Sequence, residues 1–246
     1  MKQATGKLAG KVVLITGAAR RIGKAIALGA AAQGARIAFT YRSSLHDAEQ
    51  TVAGLLEIGA EALTIRCDVR DPLNVKEMVR EVAAEMGGID VLINNAGVYS
   101  TTPFDAISLE EWDDMFAVNA RGPFLVARAA LPHLRRRRGR IVNIGSLGGL
   151  RPWATHAHYC ASKAAVIMLT KAMAKAVAPR VAVNCVAPGM ISMNERPDGS
   201  YRNIVRNTPM RRAGHPADVV EAVLFLASAT HFVTGQVIAV DGGLGL

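Results

Sequence analysis

A tyrosine and a lysine four positions apart, Tyr159 and Lys163, are the residues of this 246-residue chain best suited to do chemistry. On a helix, positions i and i+4 share one face and lie a turn apart. An ammonium beside a phenol favours the phenolate and lowers a pKa that ordinarily sits near ~10. That makes the phenol a usable proton donor near neutral pH. Tyr-x-x-x-Lys alone is a weak pattern, because any amphipathic helix can carry it. Its surroundings strengthen it. The chain beyond Tyr159 is rich in alanine and free of Gly and Pro up to Pro179, which predicts a helix. Ser146 follows an apolar stretch, Gly139 to Gly145, that reads as a strand. It therefore stands at a strand's C-terminal end, where open α/β sheets bind ligands.

The elements that must position these groups alternate along the chain. Short apolar runs at 11–16, 35–41, 63–67, 89–94, 180–187 and 234–240 join 139–145 as strands. Ala-rich or capped stretches between them read as helices. Asp71-Pro72 supplies a cap and a first-turn proline. Ser108-Leu-Glu-Glu111 is a capping-box pattern, opening a long helix expected to run past Asn119 to the arginines at 135–138. Pro123 cannot donate to the carbonyl of Asn119, so a local irregularity is expected there. No linker divides the chain, half of its residues are hydrophobic, and aromatics are few. The expectation is α/β: a single doubly wound Rossmann-type domain over 1–246, with a parallel seven-stranded sheet and helices on both faces. Residues from about 8 to 145 would bind cofactor, and those from 146 onward would supply catalysis and a substrate lid.

Between the first strand and first helix lies Thr16-Gly-Ala-Ala-Arg-Arg-Ile-Gly23. Backbone N–H groups at that helix start, aided by the helix dipole, would hold a pyrophosphate. Gly17 and Gly23 give the tight turn and the close helix–strand approach. The second strand ends Tyr41-Arg42-Ser43, without the acidic residue that would accept from an NAD ribose hydroxyl. Arg42, Ser43 and Arg21 or Arg20 fit a 2′-phosphate instead, so the expected cofactor is NADP(H). The plain alternative for Arg42 is a surface arginine. Asn94 and Asn95 can tie strands together, and the small Ala96-Gly97 pair lets a cofactor sugar approach the backbone.

Thr16 to Gly23, Asn94-Asn95-Ala96-Gly97, Asn119, Ser146, Tyr159, Lys163 and Pro188-Gly189, in this order over essentially the whole chain, resemble the short-chain dehydrogenase/reductase family. The resemblance implies carbonyl reduction with NADPH. Tyr159 would donate the proton. Lys163 would lower the phenol's pKa and bond the nicotinamide ribose. Ser146 would orient the substrate oxygen. Asn119, at a helix kink, would link Lys163 to solvent through a water. Asp68 and Val69 would contact the adenine, with Ile22, Pro188, Gly189 and Ile191 as further cofactor contacts. A homotetramer is implied as well. Two departures stand out. Arg21 replaces the middle glycine of the family's loop, and Met193 stands where relatives carry a threonine, leaving Ser192 or Asn194 to substitute. The polar stretch from Met190 to Met210 reads as the substrate lid.

Three functions are compatible with these residues. One is reduction of a 3-oxoacyl thioester, free or on an acidic carrier protein. A pteridine reductase fits Arg21, Tyr41-Arg42-Ser43 and the short lid, but not Ser146 and Gly97. A non-catalytic dinucleotide sensor would be expected to have lost Tyr159 or Lys163. The formal charge of +9 owes much to Arg135-Arg136-Arg137-Arg138. That run reads as a solvated helix end or as a dock for an acidic partner. Nothing accompanying it resembles a nucleic-acid motif. Three scattered cysteines argue against disulfides and against zinc, and no metal site is expected. Without a secretory signal or a spanning helix, the expected place is the cytoplasm, away from membranes. His156 and His158 either line the substrate side or are ordinary loop residues.

Overall fold

The computed structural model describes residues 6–193 and 202–246. Seven strands, β1 (Val12–Ile15), β2 (Arg36–Tyr41), β3 (Ala62–Arg66), β4 (Val91–Asn94), β5 (Arg140–Ile144), β6 (Ala182–Pro188) and β7 (Val237–Val240), form one sheet. Its order is β3-β2-β1-β4-β5-β6-β7, and every pairing is parallel. This is the doubly wound Rossmann-type α/β fold expected. The central strands are buried along their whole length, as strands covered on both faces must be. Side chains alternate between two cores. Val13 and Ile15 join one with Ile26, Leu55 and Val223, while Val12 and Leu14 join the other with Met78, Val126 and Leu134.

Helices α1 (Arg21–Ala32), α2 (Leu45–Glu57), α3 (Pro72–Glu85), α4 (Leu109–Phe116), α5 (Gly122–Arg137), α6 (Ala157–Val177), α7 (Arg202–Asn207) and α8 (Pro216–Ser228) connect the strands. The order reverses between β1 and β4, so the crossovers leave β1 in opposite directions. A crevice opens there at the strands' C-terminal ends. Asp71 caps α3 as expected, accepting from the amides of Leu73 and Asn74.

The long helix expected from Ser108 is broken in the middle. A π-helical turn at Ala117–Arg121 separates α4 from α5, and the Gly122 amide donates to the carbonyl of Ala117, five residues back. Pro123 has no amide proton to continue the ordinary ladder. The capping box is half made. Ser108 accepts from the Glu111 amide at 3.1 Å, but the Glu111 carboxylate turns to Ser100 and Thr102. Among the described residues, no helix is long and apolar enough to cross a membrane.

Candidate active site

A cleft of about 740 Å³ runs across the C-terminal ends of the strands. Its floor is a set of backbone groups fixed by short polar side chains. Thr16 accepts from the amides of Asn95 and Ala96, both at 3.0 Å. The Asn95 side chain donates back to the carbonyls of Thr16 and Gly17 at 3.0 and 2.9 Å. Thr40 holds the Gly17 amide at 3.2 Å. Gly17 has φ of +66°, and a Cβ there would sit 2.9 Å from Ala96 Cα. A Cβ on Gly23 would come within 2.6 Å of both the Asn95 amide nitrogen and the Gly17 carbonyl oxygen. These close contacts explain both glycines. Helix α1 begins at this turn with no side-chain cap and no acid in its first turn. Its leading amides are thus free to meet an anion.

Arg20, Arg21, Ile22, Tyr41, Arg42 and Ser43 line one end of the cleft. Arg20 stands 3.8 Å from Asp47 on α2, an exposed and weak pairing. Arg21, at the position where the family writes glycine, holds φ of +56°. Of the carboxylates, only Asp68 lines the described cleft. It is clamped by Arg70, whose Nε lies 3.0 Å from both its oxygens. Arg70 also reaches Asp114 on α4 at 2.5 Å. The Arg70 guanidinium holds the Asp68 carboxyl below its ordinary value. Val69, Ala96 and Gly97 continue the wall.

Ser146, Tyr159 and Lys163 converge at the other end, with Pro188, Gly189 and Ile191 opposite. Ser146 follows β5 in extended conformation and caps the short 3₁₀ turn at Leu147–Gly149, accepting from the Gly148 amide at 3.1 Å. Tyr159 and Lys163 share the first turns of α6. Their electrostatics differ from the expectation. Burial pushes the Tyr159 phenol above its ordinary value, with the neighbouring Ser146 hydroxyl pulling it partly back. Burial brings the Lys163 ammonium down to about 8. Lys163 Nζ donates to the Ile144 carbonyl at 2.9 Å and stands 6.0 Å from the Tyr159 ring centre. Desolvation thus favours the protonated phenol.

Asn119 does not line the cleft. It is buried in the π-turn. Its amide nitrogen donates to the Val98 carbonyl at 2.9 Å and to Ser162 at 3.1 Å, and its oxygen accepts from the Val98 amide at 2.8 Å. It thus sews the loop after β4 to α6. Asn94 joins Asn143 at 2.8 Å, and Asn143 joins Thr170 at 2.8 Å, tying β4 to β5 and α6 as the asparagine pair promised.

Several lining residues carried no sequence signal. Tyr99 packs edge-on against Tyr159, with centroids 5.0 Å apart, and Trp153 lies nearly parallel to it at 6.1 Å. Both come from irregular segments, where no periodicity marks an inward face. Met193 lines the cleft, while Ser192 is buried outside its lining. Asn194 and much of the expected lid fall outside the described residues. His156 stands at the N-cap position of α6 without a capping side-chain bond and without lining the cleft, and His158 is wholly buried. The arginine run ends α5, just before β5 begins, so within one chain it lies at the opposite end of β5 from Ser146. Arg137 donates to the Gly87 carbonyl at 2.7 Å.

A glycine turn after β1 and a Ser–Tyr–Lys set around β5 and α6 line one cleft at the C-terminal ends of the strands. A family model described as enoyl-(acyl carrier protein) reductase matches residues 17–245. The chain belongs to the short-chain dehydrogenase/reductase family of oxidoreductases. Within it, the sequence stands near the 3-oxoacyl-[acyl-carrier-protein] reductases. It is 38% identical over 240 residues to FabG of Staphylococcus epidermidis, covering 95% of this chain and 98% of that one. It is 37% identical over 241 residues to the enzyme of the same name from Synechocystis, covering 96% and 98%. The solved short-chain dehydrogenase/reductase of Serratia marcescens superposes with a TM-score of 0.92 at 34% identity, covering 98% of this chain and 100% of that one.

Proposed function

We propose that this oxidoreductase reduces a carbonyl, best a 3-oxoacyl thioester, with NADPH. The observation that carries the reading is the polarity of the cleft. Three arginines, Arg20, Arg21 and Arg42, gather at one end, and Ser146, Tyr159 and Lys163 at the other. The uncapped start of α1 and the basic cluster suit a pyrophosphate and a 2′-phosphate. Lys163 spends one of its three protons on Ile144, leaving donors for a ribose hydroxyl. NADPH, when bound, supplies the hydride.

The chain's own residues do the rest. Ser146 orients the substrate oxygen. Tyr159 gives its phenolic proton to that oxygen, so a carbonyl becomes an alcohol. A phenol kept protonated by burial suits the reductive direction. Asn119 supports Lys163 by holding the loop that carries Gly97. The likeness to 3-oxoacyl-[acyl-carrier-protein] reductases supports a thioester substrate, free or carrier-bound. A reducing cytoplasm suits the three unpaired cysteines. Exposed Trp112, Phe124, Phe225 and Phe232 suit burial in a homotetramer, which light scattering would measure.

The test is NADPH oxidation with acetoacetyl thioesters, dihydropteridines, quinones and simple ketones, repeated with NADH. Fastest turnover on the thioester with NADPH is expected. A preference for dihydropteridines, or undiminished turnover by a Tyr159→Phe variant, would overturn the reading.

A further inference from the structure

The loop from Val98 to Thr102 has no regular structure, so side chains must hold it. Every residue in it is held. Val98 is bonded on both sides of its backbone by Asn119. Tyr99 OH lies 2.6 Å from His156 Nε2, and their rings stack at 5.0 Å. Thr101 Oγ1 lies 3.0 Å from the same nitrogen. The Thr102 amide donates to the Thr155 carbonyl at 2.9 Å.

Ser100 and Thr102 both give their hydroxyl protons to one carboxylate oxygen, Glu111 Oε1, at 2.6 and 2.7 Å. His158 Nε2 stands 2.8 Å from Ser100 Oγ and 3.2 Å from that same oxygen. Ser100 has one proton and gives it to Glu111, so the contact with His158 must be donated by Nε2–H. His158 Nδ1 is then the atom left buried without a partner. A carboxylate and a fully buried histidine thus meet under the loop, on α4 and α6 respectively. Neither lines the cleft, and the proposed chemistry uses neither. Directly above them, Tyr99 faces the cleft edge-on to Tyr159.

We propose that Glu111 and His158 are positioning residues. Through Ser100 and Thr102 they fix the 98–102 loop, so that Tyr99 forms a rigid wall of the substrate end beside Tyr159. The arrangement couples the catalytic helix to the wall, because His158 is the residue next to Tyr159 in the chain. A substrate therefore meets a preset surface, and ordering the loop costs nothing at binding. The proposal rests on reading this cleft as a carbonyl reductase site.

Two measurements test it, one with turnover and one without. In Glu111→Ala and His158→Ala proteins, KM for an acetoacetyl thioester should rise about tenfold, while Kd for NADPH stays within about twofold. Amide hydrogen exchange at 98–102 should quicken in both variants. Glu111→Gln, which keeps an acceptor of the same shape, should recover most of the KM. Should the alanine variants fail to fold, Ser100→Ala combined with Thr102→Val removes the two donors and should give the same KM shift. Unchanged exchange at 98–102 overturns the clamp. Quickened exchange with an unchanged KM overturns Tyr99 as a substrate wall. KM and NADPH Kd rising together would mark a general structural role and also overturn it. If the parent protein reduces no carbonyl, the reading of the cleft fails, and hydrogen exchange still decides the clamp.

Discussion

Lys163 holds its ammonium nitrogen 2.9 Å from the carbonyl oxygen of Ile144 and 6.0 Å from the centre of the Tyr159 ring. A cation 6% exposed and bonded to a backbone carbonyl is costly, and burial draws its pKa down to about 8. The lysine is thus charged at the expense of its burial.

Its removal should stabilise the cofactor-free protein. At pH 7 the unfolded lysine is charged at no cost, whereas the folded one is charged against burial. Lys163→Met should therefore raise the urea midpoint at pH 7, by on the order of 1–3 kcal/mol of stability. As pH climbs from about 8 through 10.5, the folded lysine has lost its proton and the unfolded one then loses it too, so the advantage should shrink to nothing. Urea titrations at pH 7 and pH 10.5 measure this. A midpoint lowered at pH 7 would contradict it. Turnover of the variant should fall by at least about a hundredfold.

The phenol predicts the shape of the pH profile. Because burial raises the Tyr159 pKa above its ordinary value of 10.0, loss of its proton should not limit reduction below that pH. An alkaline limb starting near pH 8 would belong to Lys163 and should vanish with its substitution. Tyr159→Phe should lower kcat by about a hundred- to ten-thousandfold while NADPH binding is kept. Single-turnover rates and fluorescence titration separate the two effects.

Arg21 should trade stability for cofactor selectivity. A non-glycine residue at φ of +56° carries strain, worth roughly 1 kcal/mol. Arg21→Gly should raise the apo melting temperature by about 2–4 °C. It should weaken NADPH about tenfold and leave NADH nearly unchanged, as the loss of one charge-assisted phosphate contact would. Arg42→Ala should show the same selectivity loss without the gain in melting temperature. Differential scanning fluorimetry and binding titrations with both nucleotides check the pair.

The arginine run should not touch the chemistry of a free substrate. It lies at the far end of β5 from Ser146. Arg135→Glu with Arg136→Glu should leave kcat/KM for a soluble thioester within about twofold. A loss confined to a carrier-bound thioester would show that the run docks an acidic partner. Equal losses for both substrates would contradict the placement.

Much of the fold was legible because its signals are local. Apolar runs of strand length, punctuated by glycine and proline, mark all seven strands. β4, β6 and β7 begin two or three residues later than expected, at Val91, Ala182 and Val237. The π-turn was legible only as an irregularity near Pro123. Which hydrogen bond replaced the missing one depends on how Asn119 meets Val98 and Ser162, residues far away in the chain.

From the sequence alone came the glycine turn after β1, the Tyr159–Lys163 spacing and the absence of an acid after β2. These depend on residue types at fixed offsets, which backbone geometry carries directly into space. The tertiary structure decided where those groups spend their bonds. It gave Lys163 to Ile144, Arg70 to Asp68, and Glu111 to the loop that carries Tyr99. Burial and partnership are properties of neighbours brought together by packing, and no local pattern encodes them.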